Sequence, residues 1–186
     1  MVTVGVLALQ GGVREHQGLI ESLGATAVAV KKESHLAGLD ALIIPGGEST
    51  TISKLLTAFE LEQPVSELID SNIPVLATCA GLILLAQEVD GEAGYLQKLP
   101  IKVRRNAYGA QLASAEAVVD YDDGSENAAF IRAPKISDIG NCEVIGRVGD
   151  EVVALKSGNI IGASYHPELT NSTMLHRKLL QIVASN

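Results

Sequence analysis

The chain has few aromatic residues, few cysteines and no long apolar run. Tryptophan is absent and the aromatic fraction is only 3%, although hydrophobic residues make up 47% of the 186 residues. The core must therefore be built from Val, Ile, Leu and Ala, a composition common in α/β proteins with buried parallel strands. This length suits one domain with a sizeable core, which we expect to span residues 1–186.

Basic residues are also scarce, with 14 Lys and Arg against 22 Asp and Glu and a net charge of −8. This balance argues against nucleic acid or an anionic membrane surface as the main partner. No apolar stretch reaches membrane-spanning length, and residues 1–10 lack the basic region and cleavage site of a signal peptide. Cys79 and Cys142 form neither a disulfide framework nor a metal-binding pattern, so we expect a reducing, cytoplasmic setting and no metal.

The first half of the chain alternates predicted strands with predicted helices. This order predicts a parallel sheet with crossover helices. Apolar runs predict strands at 2–9, 25–30, 39–44 and 73–78. Helices are predicted at 13–23, at 65–71, and from Leu82 through residue 87. A further helix is predicted to end at residue 59, with Ser49 or Thr50 as its N-terminal cap.

After residue 89 the pattern changes to short strand-like runs separated by turns. Residues 91–94 predict a turn, and 157–159 predict a hairpin. Strands are predicted near 101–105, 114–119, 128–132, 143–148, 152–156 and 160–165, with a closing helix at 171–185. The predicted fold is therefore a three-layer α/β sandwich. A central, mostly parallel sheet is flanked by helices, and the second half contributes additional antiparallel strands.

Cys79 lies at the junction between the apolar strand 73–78 and the helix that follows. Ala80 and Gly81 are small enough to allow a sharp turn there. A residue at such an elbow projects from the carboxyl edge of the sheet, as a catalytic nucleophile does. Because the N-terminus of a helix favours the thiolate, the position suits a reactive cysteine. The alternative is a small buried hydrophobic residue, which most free cysteines are.

His166 and Glu168 follow the last predicted strand. Pro167 favours an extended conformation for the residue before it, and residues two apart in an extended chain point the same way. The carboxylate can therefore lie near the imidazole, and with Cys79 the two complete a thiol, a base and an acidic orienter. Alone, His166 would be interpreted as a strand-end histidine. His16, His35 and His176 receive that structural interpretation, as does Cys142.

The loop at 45–51, Pro-Gly-Gly-Glu-Ser-Thr-Thr, follows a predicted strand. Its two glycines let the backbone approach a ligand closely, although a plain capped turn would look similar. A tetrahedral intermediate formed on Cys79 needs donors for its oxyanion. The backbone N–H groups of Gly47 and Ala80 are the candidates.

Together these stretches resemble class I, or triad, glutamine amidotransferases, which have a flavodoxin-like fold. Within that class the chain resembles the glutaminase subunits of pyridoxal 5′-phosphate synthase over essentially its whole length. The class is indicated by 45–51, 78–81 and 166–170 together, of which the Cys and His-Pro-Glu motifs are specific to the class. The branch is specified by Gly-Gly-Glu-Ser-Thr at 46–50 and Ile-Arg-Ala-Pro at 131–134, and it is also matched at 5–11 with 14–16, at 105–109 and at residue 130.

The resemblance implies that the chain hydrolyses L-glutamine to glutamate and ammonia through Cys79, His166 and Glu168. It implies that the partner is a (β/α)₈-barrel synthase subunit, in a large hetero-oligomer, and that the glutaminase is nearly idle until docking. Gln10 would order the oxyanion hole, and no cofactor is implied because pyridoxal phosphate is the product. Glutamine would be contacted by Gly47, Glu48, Ser49, Arg105, Ile131 and Arg132.

Two segments depart from the pattern of the family, namely 94–100 and the short acidic loop 121–127. Both bear on partner fit or local structure rather than on the chemistry. Two alternative functions remain open. One is a cysteine hydrolase of the related DJ-1-like fold, against which the His-Pro-Glu sequence argues. The other is a catalytically silent binding module, against which the intact triad argues.

Overall fold

The computed structural model describes residues 1–105, 107 and 114–186. The described residues form five α-helices: α1 (Val13–Ser22), α2 (Ser49–Ala58), α3 (Glu62–Asp70), α4 (Ala80–Leu85) and α5 (Met174–Ser185). Their strands are β1 (Thr3–Leu7), β2 (Thr26–Val30), β3 (Ala41–Ile44), β4 (Val75–Thr78), β5 (Ala86–Val89), β6 (Glu92–Ala93), β7 (Leu99–Arg104), β8 (Ser114–Tyr121), β9 (Gly124–Ile131), β10 (Lys135–Asp138), β11 (Glu143–Val148), β12 (Glu151–Ser157) and β13 (Ile160–Ala163). Single 3₁₀ turns lie at Glu33–His35 and Pro167–Leu169.

Nine of the strands form one sheet with the order β2-β1-β3-β4-β13-β12-β11-β8-β9. The first five strands of this order run parallel, and β4 pairs with both β3 and β13. The remaining strands pair antiparallel. The second half is richer in antiparallel strands, as predicted, although its last strand, β13, belongs to the parallel part of the sheet. The carboxyl ends of β3 and β4 lie side by side at one edge of the sheet, where ligands of parallel α/β sheets bind.

Helices cover both faces of this sheet. On one face, Ile20 of α1 and Leu175 and Leu179 of α5 pack in one apolar cluster with inward residues of β1, β3 and β13. On the other face, side chains of α2, α3 and α4 form a second cluster with β3 and β4. Side chains of β4 alternate between the clusters, since Val75 and Ala77 join one and Leu76 the other. The central layer is thus buried from both sides, as its continuous apolar strands predict.

The largest error of the sequence prediction concerns residues 82–94. The helix predicted through Ala86 and Gln87 ends at Leu85, because Ala86 is extended (φ −61°, ψ 145°) and begins β5. β5 pairs in parallel with β7, and the predicted turn at 91–94 contains β6, which pairs antiparallel with β5. A second sheet of order β10-β7-β5-β6 results. Distant pairing with β7 overrides the local apolar pattern here, and β10 was not predicted either.

Both segments that depart from the family pattern are tied into the fold. In 94–100, the hydroxyl of Tyr95 donates to Glu62 at 2.6 Å, and Lys98 bonds Asp70 at 2.6 Å. Of the predicted acidic loop 121–127, only residues 122 and 123 form the tight turn, because β8 ends at Tyr121 and β9 begins at Gly124, and the two strands pair from one end to the other. No helix in the described part of the chain is long and apolar enough to cross a bilayer.

Candidate active site

Cys79 occupies the sharp turn between β4 and α4. Its backbone has φ 47° and ψ −102°, a region that residues other than glycine rarely adopt. The turn is held because the Cys79 N–H donates to the Ala163 carbonyl at 2.8 Å, which ties the end of β4 to the end of β13. The side chain is nearly buried, with 4% of the residue exposed. The predicted elbow therefore exists, with the thiol at its apex.

His166 and Glu168 lie beside the ends of the same strands. The His166 N–H donates to the Ala129 carbonyl at 2.8 Å, and Glu168 belongs to the 3₁₀ turn Pro167–Leu169. Nδ1 of His166 lies 2.8 Å from Oε1 of Glu168, whose side chain is only 1% exposed. The predicted contact is therefore present. The predicted reason is only half correct, because the chain is extended at His166 but turns at Glu168.

His166 also contacts Cys79 through its other face. Its burial disfavours the cation, but hydrogen bonds to Cys79 and Glu168 outweigh that effect and raise the pKa of His166 to about 10. A protonated imidazole at neutral pH supports a neighbouring thiolate. The structure thus brings Cys79, His166 and Glu168 into one chain of contacts, in the order of a nucleophile, a base and an orienter.

The loop after β3 is held by side chains rather than left as a free turn. Glu48 caps α2, in place of the predicted Ser49 or Thr50, and accepts the Thr51 N–H at 2.8 Å. Bonds from the Thr50 and Thr51 hydroxyls lower the pKa of Glu48 to about 2. Glu48 rather than Ser49 is the cap because Glu48 is extended (φ −109°, ψ 112°), while Ser49 is already helical.

Two further bonds hold the backbone of this loop, at Gly46 and at Glu48. Oε1 of Gln10 accepts the Glu48 N–H at 2.7 Å, and Oγ1 of Thr78 accepts the Gly46 N–H at 3.0 Å. Gln10 thus lies against the loop, as the resemblance implies, and Thr78 is a loop partner that was not predicted from the sequence. Ala80 is the first residue of α4, where a backbone N–H has no acceptor within its own helix.

The predicted substrate residues line one cleft together with Cys79 and His166. Arg105 reaches the cleft while its Nε donates to Asp90 at 2.7 Å, so this arginine is oriented by a carboxylate rather than free in solvent. That ion pair lowers the pKa of Asp90. The cleft is lined by Gln10, Gly47, Glu48, Ser49, Cys79, Ile83, Arg105, Ile131, Arg132 and His166.

The far side of the cleft is formed by the end of β9 and the residue after it. Ile131 is 44% exposed, and its carbonyl lies 3.9 Å from the Cys79 sulfur. Arg132 has a positive φ of 46°, which is uncommon outside glycine and turns its side chain from the line of the strand. Of the family motif at 105–109, residues 106, 108 and 109 lie outside the described residues.

Sequence reasoning missed Ile83, Asp90 and Thr78 as parts of this site. A signal existed for Ile83, because it lies one helical turn after Cys79 and donates its N–H to the Cys79 carbonyl at 3.2 Å. Thr78 gives no signal of its own, because in the sequence it is simply the last residue of the apolar strand before Cys79. Asp90 meets Arg105 only because β5 pairs with β7, a pairing that was not predicted from the sequence.

A family model described as the SNO glutamine amidotransferase family matches residues 6–184. The chain belongs to the SNO glutamine amidotransferase family. A curated relative from Brevibacillus brevis, named pyridoxal 5′-phosphate synthase subunit PdxT, is 46% identical over 97% of this chain and 96% of its own length. A relative of the same name from Clostridium beijerinckii is 50% identical over 90% and 91%.

Solved structures agree with this family assignment. A crystal structure of a glutamine amidotransferase, 42% identical, superposes with a TM-score of 0.91 over 97% of this chain and 98% of that one. The structure of PurLQS from Thermotoga maritima has a TM-score of 0.71 at 13% identity, over 97% and 98% of the two chains. The latter likeness shows the fold alone. The predicted fold class and family are confirmed, and membership of the SNO family does not favour the DJ-1-like hydrolase.

Proposed function

We propose that this glutamine amidotransferase hydrolyses L-glutamine to L-glutamate and ammonia for pyridoxal 5′-phosphate synthesis. The observation that carries the proposal is the position of His166, which contacts Cys79 on one side and Glu168 on the other within an open cleft. The names of the relatives support the destination of the ammonia, since they are called subunits of pyridoxal 5′-phosphate synthase.

Cys79 is the nucleophile of this reaction. Its thiolate attacks the carboxamide carbon of glutamine, and the C–N bond breaks as His166 donates its proton to the departing amine. Ammonia leaves and a thioester remains. His166 then takes a proton from water, whose oxygen attacks the thioester carbon, and the thiolate departs as glutamate forms. The raised pKa of His166 suits this cycle, because it starts with the proton already on the imidazole.

Glu168 is the orienter of His166. It accepts the Nδ1–H at 2.8 Å, which leaves Nε2 facing the thiol and stabilises the cation. Gly47 and Ala80 supply backbone N–H groups to the oxyanion, the second at the start of α4. Gln10 organises this hole through its bond to the Glu48 N–H.

Glutamine lies in the cleft with its α-carboxylate toward Arg105 and Arg132, whose planar guanidinium groups can bind a carboxylate in a bidentate manner. Asp90 supports the orientation of Arg105. The remaining contacts to the substrate come from Gly47, Glu48, Ser49 and Ile131.

The partner of this glutaminase is the (β/α)₈-barrel subunit of pyridoxal 5′-phosphate synthase, with which it forms a large hetero-oligomer. The match of the family model over residues 6–184 supports one glutaminase domain across 1–186. Cys79 and Cys142 are both free thiols, which supports a cytoplasmic location. Neither nucleic acid nor a membrane is a partner, in keeping with the net charge of −8.

The test is ammonia release from L-glutamine by the purified chain, with and without the synthase subunit. Turnover that rises sharply with the synthase and is lost in Cys79→Ala is expected. Cys142→Ala is the matched control, because Cys142 is also free and buried but lies away from the cleft. Absence of turnover from a complex shown to form would contradict the proposal and favour the silent binding module. Hydrolysis of peptides or glyoxal instead of glutamine would favour the DJ-1-like alternative.

A further inference from the structure

Two buried histidines lie directly behind Glu168. His16 on α1 and His176 on α5 are both 0% exposed. Nδ1 of His16 lies 2.8 Å from Nε2 of His176, and Nε2 of His16 lies 3.3 Å from Oε2 of Glu168. The pair joins two helices that pack on the same face of the sheet. Buried polar side chains are costly unless they are paired, so this cluster needs an explanation beyond core packing.

The two oxygens of Glu168 have different partners. Oε1 accepts from His166, whereas Oε2 is buried and meets no hydrogen bond of good geometry in the described chain. Nε2 of His16 is the polar group that lies at ion-pair distance from Oε2. A buried carboxylate oxygen without a donor is strongly destabilising. Nε2 of His16 lies 3.3 Å both from Oε2 of Glu168 and from the Thr78 hydroxyl, so a hydrogen on this nitrogen can be shared between the two oxygens.

A hydrogen on Nε2 of His16 sets the tautomers of both rings. Burial, reinforced by His176 and His166, lowers the pKa of His16 well below its usual value, so its ring is neutral. Burial also lowers the pKa of His176 to about 4. A neutral His16 with Nε2–H has a lone pair on Nδ1, which accepts the Nε2–H of His176. Nδ1 of His176 is then unprotonated.

The surroundings of His176 are consistent with that assignment. Its Nδ1 has no hydrogen-bond partner of good geometry among the described residues, and an unpaired acceptor costs less than an unpaired N–H in a dry core. The Ser172 carbonyl and the Glu126 carboxylate lie close enough to favour a protonated ring, but burial outweighs both. In this tautomer His176 donates its Nε2–H to Nδ1 of His16.

Glu168 and His16 are enclosed on their remaining sides. A Cβ at Gly12 would lie 2.7 Å from Oε1 of Glu168, so the N-terminus of α1 packs against the carboxylate. The hydroxyl of Thr78 lies 3.3 Å from Nε2 of His16 and also accepts the Gly46 N–H. His16 thus touches the carboxylate on one side and, through Thr78, the loop that carries Gly46 and Gly47.

We infer that His16 is a positioning residue for this site. It donates Nε2–H to Oε2 of Glu168 and thereby holds the carboxylate against His166, and His176 fixes the tautomer in which it does so. The inference rests on the proposed function, in which Glu168 orients His166. It extends the chain of contacts to His176, His16, Glu168, His166 and Cys79, and it reverses the structural interpretation of His16 and His176 made from the sequence.

The first test reads the tautomers directly in the unmodified protein. Long-range ¹H–¹⁵N spectra of the histidine-labelled chain at pH 7 are expected to show His16 and His176 both neutral with the proton on Nε2. A cationic His16, or a proton on its Nδ1, would overturn the inference. Because no substitution is involved, a failure to fold cannot obscure the result.

The second test compares two variants of similar volume. In His16→Gln, the amide N–H can occupy the place of Nε2–H, whereas His16→Leu offers no donor. The readout is the pH dependence of Cys79 alkylation by iodoacetamide, which needs neither glutamine nor the partner. His16→Leu is expected to slow alkylation at pH 7 by about tenfold and to move its midpoint to higher pH, and His16→Gln to recover most of the rate.

A matched control separates positioning from core packing. Ile20→Val alters a fully buried residue on the same helix, and its alkylation profile is expected to match wild type even if its melting temperature falls. Equal profiles for His16→Leu and wild type would overturn the inference.

In the partner-supported glutaminase assay, His16→Leu should lower kcat with little change in KM. Loss of turnover in wild type would instead contradict the proposed function, and the alkylation result would still stand.

Discussion

Gly46 shows how closely backbone and reacting groups approach each other in the cleft. A Cβ at this position would lie 2.2 Å from Cε1 and 2.7 Å from Nδ1 of His166, and 3.2 Å from the Cys79 Cβ. The first two separations, both under 3.0 Å, are essentially never seen for a Cβ atom, so any side chain at 46 must displace the imidazole. The glycine at position 46 is therefore required by the imidazole beside it rather than by the turn.

Gly46→Ala is expected to lower glutaminase turnover by about 100-fold while the protein remains folded, because a displacement of the imidazole near 1 Å costs that much. Gly18→Ala is the matched control. Gly18 lies within α1 with open space around its Cβ position, so alanine there should stabilise the protein by about 0.5–1 kcal/mol and leave activity unchanged. Steady-state ammonia release and thermal unfolding measure the two effects. Equal activities of the two variants would contradict this account of Gly46.

At the scale of elements, the hairpin of β8 and β9 supports the last helix. Glu126 accepts the Met174 N–H at 2.9 Å, the Thr173 N–H at 3.3 Å and the Ser172 hydroxyl. Two of these donors are N–H groups at the start of α5, which have no acceptor within the helix. The helix itself carries no capping side chain of its own at Thr173. A carboxylate from a distant strand therefore does what a local cap normally does.

Glu126→Ala is expected to reduce the free energy of unfolding by about 1–2 kcal/mol, because three donors lose their acceptor and the positive end of α5 loses a negative charge. Glu116→Ala on β8 removes an exposed glutamate from the same hairpin and should change stability by no more than about 0.5 kcal/mol. Urea denaturation of the two variants provides the comparison. A loss in Glu126→Ala no larger than in Glu116→Ala would rule out this capping role.

For the whole molecule, the buried histidines predict how stability changes with pH. A histidine with a lowered folded pKa stabilises the folded state fully above its unfolded pKa, near 6.5, and that contribution is lost as the pH falls through the folded pKa. His176, with a folded pKa of about 4, and His16 both act in this direction. His166 acts oppositely, since its raised pKa of about 10 gives stability that is present below pH 6.5 and lost as the pH rises toward 10.

Wild type is therefore expected to lose about 2 kcal/mol more stability than His176→Gln when the pH falls from 7 to 5, the amount given by one histidine whose pKa drops from 6.5 to about 4. The contribution of His166 is the same in both proteins and cancels in the comparison. Urea denaturation at pH 7, 6 and 5 measures the two slopes. Parallel slopes would mean that His176 does not stay neutral in the folded protein.

The sequence by itself determined the parallel half of the sheet and the three residues of the candidate triad. The strands predicted at 2–9, 39–44 and 73–78 are continuous apolar runs, and this composition indicates burial on both faces. The elbow at Cys79 requires only a strand, small residues and the start of a helix in succession. Glu168 lies two residues from His166, so their contact is local and could be predicted. The family assignment followed from these same motifs.

Only the tertiary structure decided the features that depend on pairing between distant segments. The apolar run after Leu82 is compatible with either a helix or a strand. From Ala86 it forms strand β5, because β7 supplies the hydrogen bonds that a strand needs. The same pairing brings Asp90 to Arg105. His16 and His176 are 160 residues apart, and each alone is an ordinary polar residue. Their burial against Glu168 exists only because α1 and α5 pack on one face of the sheet, where a lone carboxylate oxygen requires a donor.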